Sequence, residues 1–274
     1  MPELPEVETV RKVLEKWVID KTITDVEFFY NGVLDGINKT SFINNIKNQK
    51  IKAVDRKGKF LLFKLSDYIL ISHLRMEGKY YLVKENVIDP KINKHKIISF
   101  TLDDGNKLIY HDVRKFGKMK LIKYEEESTD KSLSKLGEEP FSINEEELYK
   151  KIKSSKRKIK TLLLDQAIIA GLGNIYVDEV LFFSNIHPNR EGESISKKEN
   201  KKIIEHSIKV LNRAIELGGS SVYSYHFAGS VSGKFQNELQ VYGRKDLECF
   251  KCGSKIAKTK IGGRGTHFCP RCQK

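Results

Sequence analysis

The first 248 of the 274 residues contain no cysteine. No disulfide can staple that stretch, so it must be held by burial of apolar groups, which fits a reducing cytoplasm. There is also no run of about 18 apolar residues, which excludes a helical membrane span. The amino terminus, Met1-Pro-Glu-Leu-Pro-Glu-Val-Glu8, is acidic and proline-containing, the opposite of a secretory signal. Internal repeats are absent. Acid is in short supply, with 36 acidic against 50 basic side chains and a net charge of +14. A surplus of that size suits a polyanion, either nucleic acid or an anionic membrane surface, although a lysine-rich composition alone would also produce it.

What is present is enough chain for two ordinary domains, with 39% hydrophobic and 31% charged residues. Leu4, Val7, Val10, Leu14, Trp17 and Val18 fall at helical spacing, with Pro5 suited to a first turn. From position 23 to 124 the pattern becomes short β runs, at 24–30, 50–55, 60–65, 69–74, 79–84, 97–102, 107–110 and 118–123. Asp104-Gly105 is a hairpin signal among them. One helix followed by many short strands predicts an antiparallel sandwich. A charged stretch at 125–135 breaks the pattern and reads as linker. Helical periods follow at 145–153, 159–169, 175–183 and 197–217, the last preceded by the capping box Ser196 and Glu199. A Gly/Ser-rich segment at 218–233 leads into the tail.

All four cysteines lie in that tail, as Cys249-x-x-Cys252 and, sixteen residues on, Cys269-x-x-Cys272. Each knuckle aims two thiolates at one point, and two knuckles complete a tetrahedron around one Zn²⁺. Two disulfides or four unrelated thiols are the alternatives, and spacing and compartment argue against both. A site closed by four thiolates is structural, and its binding energy folds a segment too short to hold itself together. From Cys249 to Lys274 there are seven basic residues and no acidic side chain. The stretch Lys260-Ile-Gly-Gly-Arg-Gly-Thr-His267 predicts a hairpin whose glycines let backbone and Arg264 approach a phosphate.

At the other end, Pro2 and Glu3 would ordinarily be a disordered start. Proline is small enough for the initiator methionine to be removed, which leaves a secondary amine beside a carboxylate and ahead of a helix. The positive end of the helix dipole disfavours protonation of that amine. A neutral secondary amine attacking an acetal-like sugar carbon gives an iminium, which is an electron sink, and Glu3 is placed to act as general acid and base.

Seven segments, in order, then carry a resemblance. They are Pro2-Glu-Leu-Pro-Glu-Val-Glu-Thr-Val-Arg11, Arg56-Lys-Gly-Lys-Phe60, His73-Leu-Arg-Met-Glu-Gly78 and His111-Asp-Val-Arg-Lys-Phe-Gly117, followed by Gly171-Leu-Gly-Asn-Ile-Tyr176, Glu238-Leu-Gln-Val-Tyr-Gly-Arg244 and Gly263-Arg-Gly-Thr-His-Phe-Cys-Pro-Arg-Cys272. Together they resemble the formamidopyrimidine-DNA glycosylases nearly end to end. The resemblance implies an α+β chain. An amino-terminal helix and antiparallel β-sandwich (1–124) lead through a linker (125–143) to a helix–two-turn–helix domain (144–236), and a four-cysteine zinc finger (237–274) ends it. It implies a monomer that meets no membrane and binds damaged double-stranded DNA in the cleft between its domains. It further implies excision of oxidised purines and β,δ-elimination, with Pro2 as nucleophile, Glu3 assisting, Glu6 supporting the site and Lys59 on a nearby phosphate. His73, Lys160, Asn174, Tyr242 and Arg264 map onto DNA-binding positions. Met76, Arg114 and Phe116 map onto the group that fills the stack when a nucleotide is flipped out. For Met76 and Phe116 the alternative is sandwich core, for Asn174 simple helix capping, and for Lys160 a solvated charge. Residues 218–233 correspond to a lid over the flipped base, and Arg75 has no role in the resemblance. A sister endonuclease VIII type is disfavoured by Leu4-Pro-Glu-Val7 and by the Arg-x-Phe wedge. A zinc ribbon that only binds DNA is disfavoured by Pro2, Glu3 and Lys59 occurring together.

Overall fold

The computed structural model describes residues 1–84, 90–220 and 233–274, so residues 221–232 of the expected lid lie outside it. The chain forms two compact units, Met1–Ser134 with Ser220–Gly233, and Lys135–Gly219 with Lys234–Lys274.

In the first unit α1 spans Leu4–Val18 and buries the face expected from its spacing, with Leu4, Val7, Val10, Leu14 and Val18 inside. β1 (Ile23–Phe28) leads through a 3₁₀ turn at Asn31–Val33 to α2 (Lys39–Ile46). This helix is absent from the periodicity reading. It is only eight residues long, capped by Asn38, whose side chain accepts the Ser41 N–H at 2.8 Å, and it buries just Phe42 and Ile46. Two buried apolar residues give too short a period to stand out among β runs.

β2 (Ala53–Lys57), β3 (Phe60–Lys64), β4 (Tyr68–His73), β5 (Lys79–Lys84), α3 (Pro90–Asn93), β6 (Lys96–Leu102), β7 (Asn106–His111) and β8 (Lys118–Lys123) follow. They pair as two antiparallel four-stranded sheets, in the orders β1-β6-β7-β5 and β2-β3-β4-β8. One apolar core joins them: Val26, Phe100, Leu108 and Tyr110 from the first sheet meet Val54, Leu61, Phe63, Leu70 and Leu121 from the second, together with the buried face of α1. Each such aliphatic or aromatic side chain contributes about 1.5–3 kcal/mol when withdrawn from water. The expected sandwich is therefore present.

The stretch read as linker is in part folded onto this sandwich. Tyr124 donates its hydroxyl to the Leu65 carbonyl at 2.6 Å, Lys64 pairs with Glu127, Lys120 pairs with the buried Asp130, and Leu133 is fully buried. Its charges masked this, although Glu127 and Asp130 are paired with lysines of the sandwich.

In the second unit α4 (Glu145–Lys153), α5 (Ile159–Leu164), α6 (Asn174–Ser184) and α7 (Lys197–Glu216) precede the hairpin of β9 (Ala257–Ile261) and β10 (Arg264–Phe268). The capping box at Ser196 and Glu199 is present. Helix α5 stops five residues short of the expected end, because Asp165 turns extended and its carboxylate accepts the Ala167 N–H, an Asx-type turn that competes with the helix. The chain then reverses before α6. No helix among the described residues is long and apolar enough to cross a membrane.

Candidate functional site

The amino terminus of α1 carries the first cluster. Glu3 precedes the helix, and Glu6 reaches back to accept the Glu3 N–H at 2.8 Å. The other Glu6 oxygen accepts the Ser220 N–H at 2.7 Å, so one carboxylate ties the helix start to the chain entering 220–233. Lys59 lies in the two-residue turn between β2 and β3. Glu3, Glu6 and Lys59 are 2%, 4% and 6% exposed, and Pro2 is buried with them. Buried ionisable groups are costly unless they serve one another, and such clusters mark functional sites. The chain here begins with Met1, so the Pro2 nitrogen is an amide and the Met1 amine is the terminal one. Burial lowers the affinity of that amine for a proton, with Lys59 acting the same way, while Glu3, Glu6 and Glu77 oppose it. The four groups expected to act together are thus gathered at one place.

His73 ends β4 and packs edge-on against Phe60, with ring centroids 4.6 Å apart. Burial, then the charges of Arg75 and Lys59, depress its pKa to about 3. The ring is therefore neutral, and its Nδ1 accepts the Arg75 N–H at 3.0 Å, which leaves Nε2 as the protonated donor. A neutral N–H donor can meet a phosphate without requiring protonation.

Two loops rise from the sandwich beyond this cluster. Residues 74–78 carry Met76 and residues 112–117 carry Arg114 and Phe116. Met76 is 38% and Phe116 50% exposed, so the core alternative does not hold. The Arg114 guanidinium lies over the Phe116 ring, 4.7 Å from its centroid. The buried Asp112 carboxylate accepts N–H groups from Arg114, Phe116 and Gly117 at 2.8–3.0 Å and so fixes the second loop from inside. Both loops are registered against one side chain. A Cβ at Gly78 would sit 2.0 Å from the Tyr110 hydroxyl, and one at Gly117 only 1.8 Å from it. Only glycine lets both loops close on that ring tip. Arg75 (φ 54°) and Lys115 (φ 56°) adopt the left-handed region, a strain of order 1–3 kcal/mol each, one beside Met76 and one between Arg114 and Phe116. The resemblance gave Arg75 no role, and its N–H fixes the tautomer of His73.

The second unit builds a separate convergence. Lys160, expected at a phosphate or as a solvated charge, is fully buried and pairs with Asp178 at 2.6 Å. Its Nζ also donates to the Gly265 carbonyl at 3.1 Å, and Asn174 Nδ2 donates to the same oxygen at 3.0 Å. The solvated-charge alternative therefore fails: Lys160 is held inside, between the hairpin and α5 and α6. Gly173, not Asn174, caps α6, so the simple capping alternative also fails, and the amide reaches across to the hairpin instead. Asp178, one turn along the same helix face, accepts the His267 N–H at 2.8 Å. Glu179 accepts N–H groups from Gln240, Val241 and Tyr242 at 2.8–3.0 Å. Burial pushes the Glu179 carboxyl up to about 7 against those three donors, and Asp178 adds to the rise. Neither acid was singled out from the sequence, yet a signal was there: two adjacent acids inside the otherwise apolar run Ile175–Leu181. Tyr242 packs edge-on against His267, with centroids 5.1 Å apart.

The β9–β10 turn is Gly262-Gly263, both at positive φ (54° and 78°), the geometry a two-residue hairpin requires. It presents Arg264, which is exposed. The finger's four Sγ atoms lie within 4.8 Å of one another, with Cys252 and Cys269 at 3.5 Å and Cys249 and Cys272 at 4.0 Å. A tetrahedral Zn²⁺ with bonds of about 2.3 Å needs sulfurs about 3.8 Å apart, so the donor set fits zinc.

Comparison with known proteins agrees along the whole chain. Residues 1–119 match the formamidopyrimidine-DNA glycosylase N-terminal domain, 136–226 its H2TH domain, and 247–274 the zinc finger found in FPG and IleRS. The formamidopyrimidine-DNA glycosylase of Bacillus cereus is 46% identical over 276 residues, covering 100% of this chain and 99% of the relative. That of Halalkalibacterium halodurans is 47% identical over the full length of both. Among solved structures, a complex between the Lactococcus lactis Fpg and an abasic site containing DNA superposes with a TM-score of 0.93 at 41% identity, covering all of both chains. A glycine-to-proline variant of the same protein, bound to a Fapy-dG containing DNA, gives the same values. MutM in complex with carbocyclic 8-oxo-G containing DNA gives 0.92 at 40%, again over all of both chains. The four cysteines therefore form the structural zinc site of this finger.

Proposed function

The chain belongs to the formamidopyrimidine-DNA glycosylase family, DNA glycosylases with abasic-site lyase activity on damaged DNA, and from that premise we propose that it excises oxidised purines through the amine of Pro2. The carrying observation is the burial of Glu3, Glu6 and Lys59 around the amino end of α1. Once Met1 is removed, the Pro2 nitrogen lone pair attacks C1′ of a flipped-out nucleotide. The N–C1′ bond forms, the glycosidic bond breaks, and the base leaves with the electron pair and a proton. The ring then opens with protonation of O4′ by Glu3, giving an iminium at C1′. That iminium acidifies C2′, and β- and then δ-elimination expel the 3′ and 5′ phosphates, leaving a one-nucleoside gap.

Glu6 supports this arrangement through its two backbone contacts. Lys59, neutral His73 through Nε2, Tyr242, Asn174 and Arg264 hold phosphates near the lesion, and Lys160 acts by fixing the hairpin that carries Arg264. Met76, Arg114 and Phe116 occupy the vacated stack, where Arg114 donates to the estranged cytosine. Preference for 8-oxoguanine and formamidopyrimidines, discrimination of the opposite base and the division of the chain at 124, 143 and 236 belong to the same reading.

Borohydride reduction tests it directly. Protein with a processed terminus should form a covalent adduct with the lesion strand of an 8-oxoguanine:cytosine duplex, with a mass of protein plus that strand less the excised base, plus the hydrogen added by reduction, when hydride captures the iminium before elimination. Tight binding without any adduct would leave a binding protein in its place. Mass spectrometry of the amino terminus tells whether Met1 is gone.

A further inference from the structure

The segments 28–33 and 113–118 contain no acidic side chain, and between them they expose Phe29 (45%), Tyr30 (37%), Val113, Arg114, Lys115, Phe116 and Lys118. They are held as one surface. The Phe29 and Tyr30 N–H groups both donate to the Ile97 carbonyl, at 3.0 and 3.1 Å, and Lys118 Nζ donates to the Gly32 carbonyl at 2.7 Å. On that surface two lysines are held over rings: Lys96 Nζ lies 4.5 Å from the Phe29 centroid and Lys115 Nζ 5.1 Å from that of Tyr30. Both distances are within cation–π range, worth about 0.5–1 kcal/mol at exposed sites.

A lysine that serves only solubility gains nothing from being held, because holding it sacrifices rotamer freedom. A lysine that receives a phosphate gains, because the ordering cost is met before the ligand arrives. Asp112, beside the second segment, is buried with its carboxylate occupied by three loop N–H groups, while the exposed Glu27 and Asp35 flank the first segment from outside it.

We propose that Lys96 and Lys115, held by Phe29 and Tyr30, bind backbone phosphates of the DNA strand opposite the lesion. The inference rests on the activity proposed above, in which Arg114 meets the base opposite the excised nucleotide. Lys115 is the next residue, and its left-handed backbone sends its side chain to Tyr30 while Arg114 stacks on Phe116. The lysine surface is therefore continuous with the part of the wedge that faces the intact strand, whereas the nucleophile must face the damaged one.

The test is the salt dependence of binding by the full chain to a duplex carrying a tetrahydrofuran abasic analogue. Each phosphate contact contributes about 0.9 to the slope of log K against log salt, so Lys96→Gln with Lys115→Gln should flatten the slope by about 1.8. Methylphosphonate linkages in the opposite strand near the lesion should weaken wild-type binding and leave the double variant unchanged. On the single-stranded lesion oligonucleotide, variant and wild type should bind equally. An unchanged slope on the duplex, or an equal loss on single strand, overturns the proposal. Borohydride trapping of the wild type on an 8-oxoguanine:cytosine duplex separates the two readings. Absence of trapping defeats the proposed activity, whereas trapping with an unchanged slope defeats only the opposite-strand contact.

Discussion

The two units of the chain both bury carboxylates, but they dispose of them differently. In the second unit Asp178 and Glu179 are met by fixed donors: Lys160 and the His267 N–H for one, three successive backbone N–H groups for the other. Those contacts assemble a finger, and every one is internal to the fold. In the first unit Glu3, Glu6 and Lys59 surround a chain terminus, and the electrostatics act on a titratable amine whose proton affinity they lower or raise. Buried charge alone therefore does not distinguish scaffold from chemistry. What distinguishes them is whether the group it faces can still react.

The comparison is broken most severely at the metal. Four thiolates closing on Zn²⁺ supply a binding energy of order 10–16 kcal/mol in small zinc modules, far more than a finger with so small an apolar cluster can replace. Chelation, or Cys269→Ala, should abolish tight DNA binding while the β-sheet signal in circular dichroism and the cooperative melting of the sandwich persist. Binding that survives full metal loss would show that the finger contributes nothing to the complex.

Next in size is the reactive end. Glu3→Gln removes a general acid without changing shape and should slow base excision by about 10²–10⁴-fold in single-turnover assays, with little effect on Kd. Pro2→Gly should weaken borohydride trapping at least as severely. If Glu3→Gln instead destabilised the fold and left the rate per folded molecule intact, the cluster would be scaffold like its counterpart.

The scaffold side is sharpened by Lys160→Met. Removing one partner of a fully buried ion pair leaves Asp178 uncompensated and costs about 3–5 kcal/mol, read in urea unfolding of the second unit. Lys160→Met with Asp178→Leu should recover part of that loss, since an apolar pair of similar volume is often tolerated. No recovery would mean that the His267 and Gly265 contacts carry more than the charge pair does.

These differences also explain what could be read before the fold was known. The α1 face, the β runs from 60 to 123 and the capping box at Ser196 were legible because each is a local period or a local hydrogen bond. The cysteine spacing was legible because zinc geometry is written in two short motifs. Helix α2 was hidden by its two-residue core, and the end of α5 by an Asx turn that apolar periodicity does not encode. The burial of Lys160 was hidden for a different reason. Its neighbours in sequence are solvated lysines, and nothing local indicates that Asp178, 18 residues away, waits inside for its charge. Tyr110 as the common stop for two loops depends on contacts among positions 78, 110 and 117, a three-body fact with no sequence signature beyond the two glycines.

That three-body contact predicts a smaller effect. Gly117→Ala would place a methyl 1.8 Å from the Tyr110 hydroxyl and must push the Arg114–Phe116 loop outward, at about 1–3 kcal/mol for overpacking. Discrimination between cytosine and other bases opposite the lesion should weaken while trapping at a preformed abasic site is largely retained. Tyr110→Phe in the same chain removes the colliding oxygen and should restore part of the discrimination. A Gly117→Ala variant with wild-type base selectivity would uncouple the loop from the ring.

The smallest effect is the pH slope contributed by His73 in the first unit. Its folded pKa of about 3 lies below the ordinary 6.5, so below pH 6.5 the unfolded chain takes up a proton that the folded chain refuses. The stabilisation by the neutral ring is complete above pH 6.5 and is lost progressively as pH falls toward 3. At pH 5 the loss amounts to about 2 kcal/mol by linkage, an order-of-magnitude figure. His73→Phe keeps an aromatic ring against Phe60 and sacrifices the acceptor for the Arg75 N–H, so it should be less stable at pH 7.5 yet lose less on acidification. His187 and His206, also depressed by burial, acidify wild type and variant alike, so the difference between the two urea midpoints at pH 7.5 and pH 5 isolates His73. Equal shifts in both proteins would mean that the ring is protonated in the fold, and the neutral Nε2–H donor assigned to the phosphate would have to be replaced by a charged one.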